Sequence, residues 1–207
     1  MIELYTWSTP NGRKVSIMLE ECGLPYSVHK INIGTNREQF TPEYLAINPN
    51  GKIPSIVDPD GPDGQPIAMM ESGAILVYLA GKTGRFLPKN VRGKYEALQW
   101  LMFQMGGVGP MFGQAHHFMR AKKDEIPYGS ERYGTEAKRL YGVMNKHLAS
   151  REYFAPEYSI ADMAIYPWVA RHEWHRVELA QFPAVKRWYD KVGARPPVVK
   201  GMAVPQV

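Results

Sequence analysis

The chain of 207 residues holds one cysteine, Cys22, so it can form no internal disulfide and contains no CxxC pair. That excludes a disulfide-stapled scaffold and a redox mechanism run on a protein dithiol, and it fits a reducing cytoplasm. No apolar run approaches the roughly 20 residues needed to cross a bilayer. The first residues, MIELYTW, carry Glu3 where a secretory leader is basic, and no long apolar stretch follows, so no signal peptide is expected. A polybasic arm is also missing. The net charge of +5 is scattered, with AKKDE and KGMAVPQV its densest stretches. Such a surface suits a cleft for a small anion at least as well as a nucleic-acid partner. There is no internal repeat and no low-complexity tract.

What is present divides in two. IELYT reads as a buried strand, and Val15, Met18, Leu19 and Cys22 then form a helical stripe. YSVHKIN alternates as a strand, and TPEYLAINP is a short helix ending before Pro49. SIVD and PIAMM are short strands joined by the turn-rich PDGPDGQ, and a helix follows from Ser72. The order βαβαββα predicts a mixed sheet covered by helices over residues 1–84. Gly84 and Pro88 mark a linker at 85–91. Residues 92–207 show helical periodicity and no convincing strand, which predicts an all-α bundle: an α+β domain followed by a helical one.

Four stretches, STPNGRKVSIMLEE, NPNGKIPSIVD, MESGAILVYLA and YSIADMAIYPWV, together resemble the soluble glutathione transferases over essentially the whole chain. The resemblance implies a thioredoxin-like first domain. Within that family TPNG, GGVGPMFGQAHHF and ERY are most similar to the nu class, the bacterial disulfide-bond oxidoreductases related to a fungal prion-forming nitrogen regulator.

Each motif also has a physical reading. In NGKIPS the resemblance implies a cis bond before Pro54, which would expose the N–H and C=O of Ile53 to an extended tripeptide. Ser72, at a helix start, suits a carboxylate, and Glu71 beside it suits an ammonium. A γ-glutamyl group carries both. Gln39 and Lys52 match positions that hold the glycyl carboxylate in related proteins. Taken alone, each of these has a plainer reading as a turn proline, a helix cap or a solvated side chain. Ser159 and Asp162 have the spacing of a capping box and are assigned a structural role.

The resemblance makes glutathione the cofactor, and its thiol is reactive only as the thiolate. Tyr5 lies inside the first strand and Cys22 well along the first helix, so neither suits the turn. Ser8, Thr9 and Asn11 remain as donors, with the N–H groups of the helix start. The resemblance selects Thr9 and Asn11. It implies a glutathione-dependent disulfide-bond reductase using two glutathiones or one glutathione disulfide, with Arg132 reaching the second tripeptide from the neighbouring subunit of a homodimer. Two alternatives are conjugation of glutathione to small electrophiles and a non-catalytic binding module. For conjugation, Met111, Phe112 and Phe118 would wall an apolar pocket where glycines and Pro110 interrupt a helix. His116 and His117 point in different directions with no third ligand near, so no metal is expected. Trp100, Phe103 and Tyr128 are the aromatic candidates for a subunit interface.

Overall fold

The computed structural model describes residues 1–122 and 125–206. Part of the basic stretch AKKDE lies outside them, as does the last residue of KGMAVPQV. The chain divides into two compact units, Met1–Arg85 with Arg195–Val207, and Phe86–Ala194.

The first unit follows the expected order: β1 (Ile2–Thr6), α1 (Pro10–Cys22), β2 (Tyr26–Lys30), α2 (Pro42–Ile47), β3 (Ser55–Asp58), β4 (Ile67–Met70) and α3 (Ser72–Thr83). The sheet order is β2-β1-β3-β4. The α1 crossover makes β1 and β2 parallel, while β3 runs antiparallel to both β1 and β4. Ile2, Leu4 and Thr6 of β1 are buried. Helix α1 begins with Thr9 as cap and Pro10 in its first turn, and ends at Gly23 in the left-handed region. Its buried residues extend beyond the predicted stripe to Gly12, Lys14, Ser16, Ile17 and Glu21, because α3 and a further helix both pack on it. That further helix is α9 (Pro196–Met202).

Helix α9 revises the domain reading, which ran the second domain to residue 207. The structure groups residues 195–207 with the first unit. Arg195 places its guanidinium on the buried Glu21 carboxylate at 2.6 and 2.9 Å, and Ser16 Oγ donates to the Gly201 carbonyl at 2.7 Å. A Cβ on Gly201 would stand 2.5 Å from the Ile17 Cα, so only glycine permits this approach of the two backbones.

The second unit is helical among its described residues: α4 (Val91–Phe103), α5 (Gly109–His116), α6 (Pro127–Leu148), α7 (Ile160–Val169) and α8 (Pro183–Gly193). The expected interruption at GGVGP does not occur. Residues Gln104–Val108 form a wider π-type turn joining α4 to α5 with right-handed helical dihedrals at both junctions, and His117–Ala121 form a second such turn. Pro110 lies in the first turn of α5, next to the widened stretch, where a missing N–H is tolerated. Phe112 is fully buried and stacks on Tyr141 with centroids 4.8 Å apart, so it is core rather than pocket wall. Ser159 and Asp162 make the predicted capping box. Trp100 packs among Phe103, His147 and Phe154, whereas Tyr128 is exposed. No helix among the described residues is long and apolar enough to cross a membrane.

Candidate functional site

One row of the sheet organises the site. Tyr5 pairs with Ser55, and Ser55 pairs with Met70. The turn after β1, the residues before β3 and the residue after β4 therefore meet at one end of the sheet. They are Thr9 with Asn11, Ile53 with Pro54, and Glu71 with Ser72.

The turn places two of the three candidate donors differently from the third. Thr9 Oγ1 accepts from the Gly12 N–H at 3.2 Å, which caps α1 and leaves the hydroxyl its own proton as a donor. Asn11 is the second residue of α1 and half-buried. Ser8 Oγ instead accepts from Arg13 Nη2 at 3.1 Å. Gly12 brings the helix head against β1. A Cβ there would lie 2.2 Å from Thr6 Oγ1 and 2.6 Å from the Trp7 carbonyl oxygen.

Tyr5 and Cys22 stand apart from this chemistry. Tyr5 donates to Glu3 at 2.6 Å and stacks on His29. Burial and Glu3 push its hydroxyl up to about 12, so it is a poor source of a stabilised anion. Cys22 closes α1, eleven residues beyond Asn11, or roughly 16 Å along the helix. Its thiol contacts Met18 and Thr83, and burial pushes its pKa up.

The peptide bond between Ile53 and Pro54 is cis. Among the described residues the N–H and C=O of Ile53 enter no hydrogen bond within the chain. A buried polar cluster holds the preceding loop. The Tyr44 hydroxyl and the Asn48 amide each donate to the Lys52 carbonyl at 2.6 Å, and both contact Ser55 Oγ at 3.0 Å. Asn48 Oδ1 also accepts from the Asn50 N–H at 2.9 Å. Sequence reading passed over these three residues, although an asparagine directly before Pro49 is a turn signal.

Across the row, Glu71 has φ +67° and ψ 108°, a conformation that costs a non-glycine residue about 1–3 kcal/mol. This turns the chain into α3, whose first residue is the buried Ser72. Beneath Ser72 lies a group the sequence reading missed. Lys14, 1% exposed, donates from Nζ to Ser72 Oγ at 3.2 Å. Burial lowers its ammonium to about 7, against the opposing pull of Glu71. In the sequence Lys14 only borders the apolar stripe, one residue before Val15 and four before Met18.

Gln39 is buried, and its Oε1 has no partner among the described residues. Lys52 is exposed. Arg132 belongs to the second unit, exposed on α6, and the sheet row does not include it. His116 packs tilted against Trp174, ring centroids 4.3 Å apart, and no cluster of three metal-ligating side chains occurs among the described residues.

Comparison with known proteins places this geometry. Residues 9–82 match the model of the glutathione S-transferase N-terminal domain, and residues 108–196 match that of the C-terminal domain. The disulfide-bond oxidoreductase YfcG of Escherichia coli (strain K12) is 50% identical over 198 residues, covering 95% of this chain and 92% of the relative. A glutathione transferase from Pseudomonas putida, crystallised with one glutathione disulfide bound per subunit, superposes with a TM-score of 0.94 at 48% identity, over 99% of this chain and 91% of the other. One from Burkholderia graminis, with two glutathione molecules bound per subunit, has a TM-score of 0.92 at 48% identity, over 99% and 88%.

Proposed function

Because the chain belongs to the glutathione S-transferase family, we propose that it is a glutathione-dependent disulfide-bond reductase working with two bound glutathiones or one glutathione disulfide. The observation that carries this reading is the β1–α1 turn, which offers hydroxyl, amide and helix N–H donors and no protein thiol. The reacting sulfur then arrives with the cofactor. The names and bound ligands of the similar proteins support the same chemistry.

Glutathione lies extended along Ile53 and Pro54. Its γ-glutamyl end meets Glu71 and Ser72, its glycyl carboxylate meets Gln39 and Lys52, and its sulfur faces Thr9 and Asn11. Donors aimed at sulfur lower the thiol pKa, at about 1.4 kcal/mol per unit. The thiolate attacks one sulfur of the substrate disulfide and expels the other as a thiolate. A second glutathione thiolate then attacks the mixed disulfide, releasing the second substrate thiolate and forming glutathione disulfide. The two protons lost by the glutathione thiols end on the two product thiols. Arg132 of the neighbouring subunit supplies a guanidinium fork for the carboxylates of the second tripeptide, in a homodimer of the nu class. A reducing cytoplasm is the compartment that this chemistry requires.

The test is glutathione-dependent reduction of 2-hydroxyethyl disulfide. Thr9→Val combined with Asn11→Ala should lower kcat/KM at least tenfold while S-methylglutathione still binds. Unchanged turnover overturns the assignment of these donors. Conjugation of chlorodinitrobenzene by the wild type far faster than disulfide reduction would replace the reductase reading with the conjugating one.

A further inference from the structure

We propose that Lys14 is a positioning residue for the γ-glutamyl end of glutathione, holding Ser72 from beneath so that its hydroxyl is presented to the ligand's α-carboxylate. The inference rests on the glutathione reading of the site and adds a group to it. The geometry is that of a built site rather than of a bare helix start. Lys14 is 1% exposed and Ser72 4%, and Nζ lies 3.2 Å from Oγ. A hydroxyl that accepts on one lone pair keeps its proton as a donor, so the lysine narrows the directions in which Ser72 can donate. An α-carboxylate bound at Ser72 also places a negative charge within a few ångströms of Nζ, in a region largely closed to water.

The charged groups around Lys14 narrow its role. On α1 itself, Arg13 turns to Ser8, Glu20 to Tyr26 and Glu21 to Arg195. On β1, Glu3 is held by Tyr5. At the end of α3, Lys82 pairs with Asp58 and Asp60, and α9 contributes Arg195 and Lys200. Glu71 is the charge whose pull registers at Lys14. Glu71 is also the residue placed to meet the ligand's ammonium, so glutathione draws on that charge and leaves its own carboxylate in its place. In the free protein burial lowers the lysine to about 7, within reach of neutral pH. An arriving carboxylate favours the charged form. Binding above pH 7 therefore takes up a proton at Lys14, and affinity falls as pH rises.

Isothermal titration with S-methylglutathione tests this without the complication of a titrating thiol. For the wild type, Kd should rise between pH 7 and 8.5, by up to about tenfold per unit. Runs in two buffers of different ionisation enthalpy should report proton uptake. Lys14→Met should bind about tenfold more weakly at pH 7, losing a charge-assisted contact, and should show a flatter Kd profile and less proton uptake. The ligand's own amine titrates alike against both proteins, so the difference between them isolates Lys14. Equal Kd and equal proton uptake in the two proteins overturn the proposal. If Lys14→Met does not fold, the wild type still decides, because binding without proton uptake at pH 8 overturns it too. A wild type that binds no S-methylglutathione at all overturns the glutathione reading, and this inference with it.

Discussion

Lys14 and Tyr5 show opposite uses of a polar side chain near one turn. Tyr5 is held locally by Glu3, whereas Lys14 is buried and reaches across to the hydroxyl of Ser72 on α3. Burying an ammonium costs stability while it is charged. Its pKa is lowered from 10.5 to about 7, so between those values the unfolded chain binds more protons than the folded one. Stability of the ligand-free protein should therefore rise with pH through this window. The Lys14 contribution is on the order of 2 kcal/mol between pH 7 and 9, at about 1.4 kcal/mol per unit. Thermal unfolding across that range should show the rise in wild type and a flatter profile in Lys14→Met. Parallel profiles would mean that Lys14 does not titrate there. At this scale the helix starts at Thr9 and Ser72 and the bend at Pro54 were legible, because each sits in a short motif with a local signal. Lys14 was not, because a lysine in an amphipathic helix normally reads as solvated, and only the packing of α3 makes that side an interior.

Among the elements, α7 was the most readable and α4–α5 the least. The Ser159 and Asp162 spacing predicted a capping box, and the structure has one. Spacing did not announce that the same carboxylate also accepts from the Phe154 N–H at 3.2 Å and from Trp188 Nε1 at 2.8 Å. Asp162 is wholly buried, and burial raises its carboxyl to about 6 despite these donors. Asp162→Ala should cost about 3–5 kcal/mol, because several buried donors lose their acceptor at once. Asp162→Asn keeps one acceptor oxygen and should cost less. Chemical denaturation of the two variants checks the order, and an equal, small effect would reduce the network to an ordinary cap. In GGVGP, by contrast, the local signals for a break were strong. The chain stays helical by widening its turn. A Cβ at Gly109 would be 2.7 Å from Gln104 Nε2, so the small residue there serves close packing rather than a break.

For the whole molecule, the decisive feature is that the segment from Arg195 packs back on the unit formed by residues 1–85. Arg195 and Glu21 are 174 residues apart in sequence, yet they form a two-bond ion pair whose carboxylate side is only 2% exposed. A chain ending at Ala194 would lose this ion pair and uncover the face of α1 that α9 covers, at a cost of at least about 3 kcal/mol. Its unfolding midpoint should fall by at least about 6–12 °C, at about 2–4 °C per kcal/mol for a chain of this size. A midpoint unchanged by the truncation would show α9 to be a passive tail.

Hydrophobic period, turn residues and cap spacing are local quantities, so the sequence by itself determined the order of strands and helices, the division into a mixed-sheet unit and a helical one, and the motifs at the end of the sheet. The tertiary structure alone decided what lies behind those motifs. It aligned Tyr5, Ser55 and Met70 in one row, gathered Tyr44, Asn48 and Ser55 behind the cis-proline loop, buried Lys14 beneath Ser72 and returned α9 to α1. Each of these depends on which surfaces of distant segments exclude water together, and no short window of sequence carries that information.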